Sequence, residues 1–375
     1  MAGIYIHIPF CKRICSYCDF YKTTTAVLIP DFITALETEL DIRKHYLEQE
    51  IIRSIYFGGG TPTLLSPAQI ASILNKTKQF HQVSSDCEIT LEANPDDLSE
   101  HYLEALISTA GFNRISIGIQ SFRDKDLVLL NRRHNAAQAL KSVEYARQAG
   151  FKNISIDLIY GIPEMDTSAW KKNLDLAFSL DIQHISAYHL SLEPGTALSR
   201  AAKRGALKMP DDKESQRQFN LLTKMAGAKG FLHYEISNLA KAGFISRHNS
   251  GYWQQKKYLG IGPSAHSYNI HSRQWNVSQV RTYIEAIRTG MEFFVREELD
   301  QAIKFNEYLL VSLRTSTGAD TERIRLEFGE ETCMNFIAAA KSLVSSGHMI
   351  QEGNTCRLTQ KGWLISDYII ARLIN

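Results

Sequence analysis

Short apolar and β-branched runs alternate with amphipathic stretches through the first half of the chain. The runs Ile4–Pro9, Ser54–Gly58, Glu88–Ala93, Arg114–Gln120, Asn153–Tyr160 and His184–Leu190 predict strands. The stretches between them carry helix punctuation. Ser66 precedes Pro67, an N-cap with proline in the first turn; Ser99 opens a helix closed by Gly111; another runs from Asn135 to Gly150. Successive strand–helix units of this kind predict a parallel sheet joined by right-handed crossovers. With six units instead of eight, the expected form is an incomplete (β/α)6 TIM-like barrel of the α/β class.

After about residue 200 the rhythm changes. Asp211–Lys229 predicts a long helix, Gly243–Tyr268 is rich in glycine and aromatics without helical period, and Ser278–Thr289 predicts another helix. From residue 300 the pattern is helix (Gln301–Leu313), helix (Thr321–Glu327), helix (Glu331–Ser346), a hairpin around Glu352-Gly353-Asn354, and a last helix. That order is winged-helix-like. The expected organisation is a barrel over 1–230, a connecting region over 231–295, and a smaller, mainly α domain over 296–375.

Charge removes some function classes. The 375 residues hold 42 Lys and Arg against 40 Asp and Glu, too even for a nucleic-acid or anionic-membrane binder on charge alone. The winged-helix-like segment carries eight basic and nine acidic side chains, whereas a wing that reads DNA is basic. It is expected to dock or cover, with a nucleic-acid-binding regulator as the weaker alternative. No apolar run approaches the ~20 residues of a membrane span. The apolar segment Met1–Phe10 lacks a basic leader and runs into a cysteine cluster, so it does not read as a signal peptide, and a cytoplasmic location is expected.

Cys11, Cys15 and Cys18 form a C-x3-C-x2-C cluster, while Cys87, Cys333 and Cys356 are scattered and read as ordinary small residues. Three thiolates on so short a loop can cap an iron–sulfur cluster but not enclose it. Four cysteines are the usual complement, so one iron would be left open. The competing interpretation is a zinc knuckle with His7 as fourth ligand.

Further polar motifs fall at the predicted strand ends, where such a fold places its site. Strand two runs into Gly58-Gly59-Gly60-Thr61-Pro62-Thr63, whose glycines let the backbone approach a ligand. Strand three ends in Leu91-Glu92-Ala93-Asn94-Pro95, with Glu92 at the mouth able to accept from hydroxyls. Strand four ends at Gln120, and Arg132 follows as a bidentate clamp for a carboxylate. Strand five places Asp157 among apolar residues, where a lone carboxylate needs a partner or a ligand.

The cysteine spacing directly after Tyr5-Ile-His-Ile-Pro-Phe, together with the Gly-Gly-Gly-Thr-Pro run, resembles the radical S-adenosylmethionine superfamily. Within it the chain is similar to the branch that holds oxygen-independent coproporphyrinogen III oxidase and the haem chaperone HemW family. The resemblance implies a [4Fe–4S] cluster whose open iron binds S-adenosylmethionine, and an unidentified electron donor that reduces it. It also implies cofactor contacts at Tyr5, Gly59, Gly60, Thr61, Glu92, Gln120, Arg132 and Asp157, with Tyr17 beside the adenine.

Two departures from the oxidase pattern favour the chaperone branch. Phe20 stands where the oxidase has a fourth cysteine, and the first strand begins within four residues of Met1, where the oxidase carries a long segment. The segment His248-Asn249-Ser250-Gly251-Tyr252-Trp253 matches the chaperone's HNxxYW signature. The resemblance implies haem b binding there, with His248 as axial ligand or at least essential to retention, Asn249 beside it, and Tyr252 and Trp253 packing on the macrocycle. His266 and His7 are weaker ligand candidates. The implied function is delivery of haem to acceptor proteins, respiratory ones among them; the alternative is oxidative decarboxylation of coproporphyrinogen III.

Overall fold

The computed structural model describes residues 1–374. Six parallel strands, β1 (Ala2–Ile8), β2 (Ile52–Gly59), β3 (Val83–Ala93), β4 (Arg114–Gln120), β5 (Asn153–Tyr160) and β6 (His184–His189), lie side by side in chain order. Their sequence alternation has a direct consequence, since successive side chains on a strand point to opposite faces. Ile4, Ile6 and Ile8, then Ile55 and Phe57, Leu91, Ile115 and Ile117, and Ile154 and Ile156 are fully or almost fully buried. They pack against the helices Ile29–Ile42, Pro67–Phe80, Glu100–Ala110, Ala136–Gln148 and Thr167–Ser179. The alternate positions are polar: Tyr5 and His7, Ser54 and Tyr56, Glu88, Thr90 and Glu92, Arg114 and Ser116, Ser155 and Asp157, His184 and Ser186. The concave face is therefore lined with groups that need partners or a ligand.

The helix punctuation works as expected. Ser66 accepts from the backbone N–H of Gln69 in a capping box, Ser99 caps at Tyr102, and Asn135 forms a second capping box with Gln138. The helix ending at Ala110 closes on Gly111 in the left-handed region.

The sheet is larger than the sequence suggests. At one edge β7 (Phe231–His233) and β8 (Asn238–Lys241) add antiparallel to β6. At the other, β9 (Tyr258–Ile261) runs parallel to β1, followed by an antiparallel meander of β10 (His266–Tyr268), β11 (Ser272–Asn276) and β12 (Phe294–Glu298). The order β12-β11-β10-β9-β1-β2-β3-β4-β5-β6-β8-β7 leaves β12 and β7 unpaired with each other, so the barrel stays open. A buried network fastens the added strands to the first helix. Glu39 accepts from Tyr283 Oη (2.6 Å), Asn276 Nδ2 (2.7 Å) and the Gly262 N–H (2.8 Å), while Arg43 reaches Gln274 and Ser267.

Beyond β12 come helices Gln301–Ser312, Thr321–Phe328 and Glu330–Ser345. A three-stranded sheet of β13 (Ala319–Asp320), β14 (Met349–Glu352) and β15 (Thr355–Leu358) and two short helices complete the winged-helix-like pattern. Among the described residues no helix is long and apolar enough to cross a membrane.

Candidate functional site

The cysteines sit on a loop that leaves the C-terminal end of β1 and returns beside it. Cys11 N–H donates to Thr23 O (2.9 Å) and Thr23 N–H to Pro9 O (2.8 Å), closing the loop at its neck. Distant segments hold its far side: Ser16 N–H donates to Leu130 O (3.1 Å), Leu198 N–H to Ser16 O (2.9 Å), and Asn131 Nδ2 to Ile14 O (2.7 Å).

The loop packs on the end of β2, and this is where glycine is required. Gly59 has φ +109°, and a Cβ there would meet the His7 ring at 2.5 Å; one on Gly60 would meet Phe10 O at 2.7 Å. The glycines thus serve the approach of β1 and the cysteine loop as well as that of a ligand.

Cys11, Cys15 and Cys18 line one cavity of about 450 Å³ together with Tyr17, Gly59, Gly60, Thr61, Glu92, Gln120, Arg132 and Asp157. Thr61 Oγ1 donates to Cys11 Sγ (3.7 Å) and Arg132 Nη1 to Cys15 Sγ (3.3 Å). Arg132 Nη2 donates to Asn94 Oδ1 and to Gly118 O, both at 2.6 Å, and Asn94 Nδ2 donates to Thr61 Oγ1 (3.0 Å). Gln120 is held at φ +69°, an uncommon value for a residue with a side chain and one that clusters at functional sites.

Burial governs the electrostatics. It raises the thiol pKa of Cys11 and of Cys18, although hydrogen bonding from Thr61 opposes it at Cys11 and the Lys22 charge opposes it at Cys18. It raises Asp157 against hydrogen bonds from Ser116 and Ser186, and pushes Glu92 up to about 7 even though Tyr56 Oη donates to it at 2.7 Å and the Gly59 N–H at 3.1 Å. Two carboxyls poised in this way can accept or give a hydrogen bond to sugar hydroxyls. The donor set also fits a multi-iron group. Three thiols line the cavity, one fewer than the usual four of an iron–sulfur cluster. A cluster takes each thiolate at a separate iron.

The structure does not bring Tyr5 into this cavity. Its hydroxyl contacts His7 Nδ1 (3.1 Å), and it lines a neighbouring cavity of about 500 Å³ with Tyr252, Tyr258, Tyr268 and His266. Asn94, Ser116, Gly118 and Tyr188 line the cysteine cavity without having been singled out from sequence. Of these, Asn94 had a signal, as the polar residue before Pro95 at a strand end.

The HNxxYW segment lies outside this cavity, and its secondary structure differs from the sequence expectation. The supposedly irregular stretch contains a helix, Arg247–Trp253, capped by Ser246 and by Glu88, whose carboxylate accepts from the N–H groups of Arg247 and His248, each at 3.1 Å. His248 is 3% exposed and stacks on Tyr56 at 4.9 Å between ring centroids. Ser54 Oγ contacts its Nδ1 (3.0 Å) and Tyr252 Oη its Nε2 (2.8 Å). Both of its ring nitrogens are thus engaged within the protein. Burial, reinforced by the Arg114 charge, lowers its pKa to about 3, so it is neutral. Asn249 and Trp253 are half-buried, and the Trp253 indole nitrogen is buried without a hydrogen-bond partner among the described residues.

An open parallel α/β sheet with a cysteine trio and a glycine-bound cradle at its strand ends defines a radical SAM protein, and residues 5–177 match the model of the radical SAM superfamily. Over its whole length the chain is 34% identical to "Heme chaperone HemW" of Bacillus subtilis, covering 100% of both proteins. It is 34% identical to that of Mycobacterium tuberculosis, covering 100% of this chain and 95% of the other. It is also 32% identical to the bovine "Radical S-adenosyl methionine domain-containing protein 1, mitochondrial", covering 100% and 87%. The chain belongs to the HemW family. Its fold is shared by the coproporphyrinogen III oxidase HemN of Escherichia coli, with a TM-score of 0.85 at 22% identity over 100% of this chain and 90% of that one.

Proposed function

We propose that this protein is a cytoplasmic haem chaperone that carries a [4Fe–4S] cluster and S-adenosylmethionine and delivers haem b to haem-dependent acceptors such as respiratory proteins. The observation that carries this reading is end-to-end similarity to HemW proteins, joined to a cavity where three thiols meet a polar cradle. Bound there, the cluster and S-adenosylmethionine supply one-electron chemistry, given an external electron donor.

The chain's own part is positional. Cys11, Cys15 and Cys18 would hold three irons. Arg132 would take the cofactor's carboxylate, Gly59, Gly60 and Thr61 would receive its amino-acid end, and Glu92 with Asp157 and Gln120 would take its hydroxyls. Tyr17, half-buried and with its hydroxyl pKa raised by desolvation, offers a flat face for the adenine. Of the two roles open to His248, the geometry supports haem retention over direct ligation, because its ring is bonded at both nitrogens.

The test is anaerobic reconstitution followed by titration with S-adenosylmethionine and then haemin. Wild type is expected to hold the cluster, change its EPR signal on adding the cofactor, and bind haem with a Soret band. The Cys11→Ala/Cys15→Ala/Cys18→Ala variant is expected to lose cluster iron. Formation of protoporphyrinogen from coproporphyrinogen at a useful rate would instead make the protein an oxidase.

A further inference from the structure

We propose that haem sits in the cavity between β1, β9, β10 and β11 and helix Gln301–Ser312, with His266 as its axial ligand, and that His248 is a positioning residue acting through Tyr252. The inference rests on the haem-chaperone reading and names its site. At about 500 Å³ the cavity lies within the ~300–1,000 Å³ typical of small-molecule sites.

Its walls suit a flat macrocycle. Tyr258 and Tyr268 stack nearly parallel, 26° apart with centroids at 6.1 Å, and Tyr252 stands edge-on to Tyr258 at 4.6 Å. Leu310 and Val311 add an apolar surface from the covering helix. Large aromatic faces and a few convergent polar groups are the usual make-up of such pockets.

Of the two histidines that line this cavity, His7 and His266, only His266 is exposed. Its ring leans on Trp275, 28° from parallel, and among the described residues no protein group forms a hydrogen bond with either nitrogen. His7 also lines the cavity, but it is buried, with Nδ1 on Tyr5.

Arg273 is the one Arg or Lys side chain lining the cavity. It pairs with Glu307 of the covering helix at 2.7 Å, a partner that a haem propionate could replace. His248, by contrast, is not in the lining; it contacts the hydroxyl of one wall residue, Tyr252, and lies against the ring of another, Tyr5, at 6.2 Å between centroids. Loss of His248 would therefore loosen one wall without removing the ligand.

The experiment is haemin titration of wild type, His266→Ala, His266→Gln and His248→Ala in the cluster-containing protein, read by Soret absorption and low-temperature EPR. His266→Ala and His266→Gln should keep the cluster yet lose the wild-type axial-ligand signature, and added imidazole should restore it in the alanine variant. His248→Ala should keep that signature while binding about ten-fold more weakly, the size of outer-shell losses. If the His266 variants keep the wild-type signature, or if imidazole rescues His248→Ala instead, the assignment is wrong while the chaperone reading stands. Absence of saturable haem binding by wild type would overturn both.

Discussion

Arg132 holds a thiol, an amide and a backbone carbonyl from one guanidinium, a task that needs a planar fork of donors. A lysine in its place keeps the charge and loses the geometry. Arg132→Lys is expected to cost about 1.5–3 kcal/mol of S-adenosylmethionine affinity, measured by calorimetry on reconstituted protein; a change within two-fold would remove Arg132 from the cradle. At this scale the sequence is legible where chemistry forces an unusual residue type, as with a carboxyl in an apolar run at Asp157 or three cysteines in one turn of loop. It is illegible where the role depends on rotamer. Nothing in the order of residues says that Tyr5 turns toward its own cavity, or that both imidazole nitrogens of His248 are occupied.

Elements were legible in proportion to their length. Helices of 11–14 residues with caps and an apolar face stand out, whereas β9, β10 and β11, of three to five residues, are too short for alternation to show. The helix Arg247–Trp253 hides for a different reason. It has seven residues and a glycine, and its buried residue is a histidine facing polar strands, so no apolar stripe marks it. What fixes it is a carboxylate on another strand. Glu88→Ala removes the acceptor for two N–H groups at the helix start and is expected to destabilise the protein by about 1–3 kcal/mol, as urea unfolding would register. An unchanged midpoint would show that Ser246 alone suffices as a cap.

For the molecule as a whole, a polar concave face means that many buried groups titrate away from their usual values. Burial lowers His184 well below the ordinary range and His248 to about 3. A native pKa below the unfolded one means that unfolding takes up protons. The associated stability is complete above about pH 6.5 and is lost as the pH falls toward the native value. Glu235, pushed up to about 7 by burial, works in the opposite sense: its contribution is present below about pH 4.5 and is lost as the pH rises through 7. The two sets offset each other, so single variants resolve them better than the wild-type curve. Between pH 7 and 5, His248→Gln should be spared about 2 kcal/mol of the loss that wild type suffers, by denaturant unfolding at each pH. Equal losses would mean that His248 is not buried neutral.

Because the cysteine loop is pinned by backbone from residues 130 and 198 and by the side chain of Arg132, a nascent chain that has only just emitted its thiols cannot yet present them in register. Their native spacing therefore depends on residues that leave the ribosome only after more than half of the polypeptide has been made.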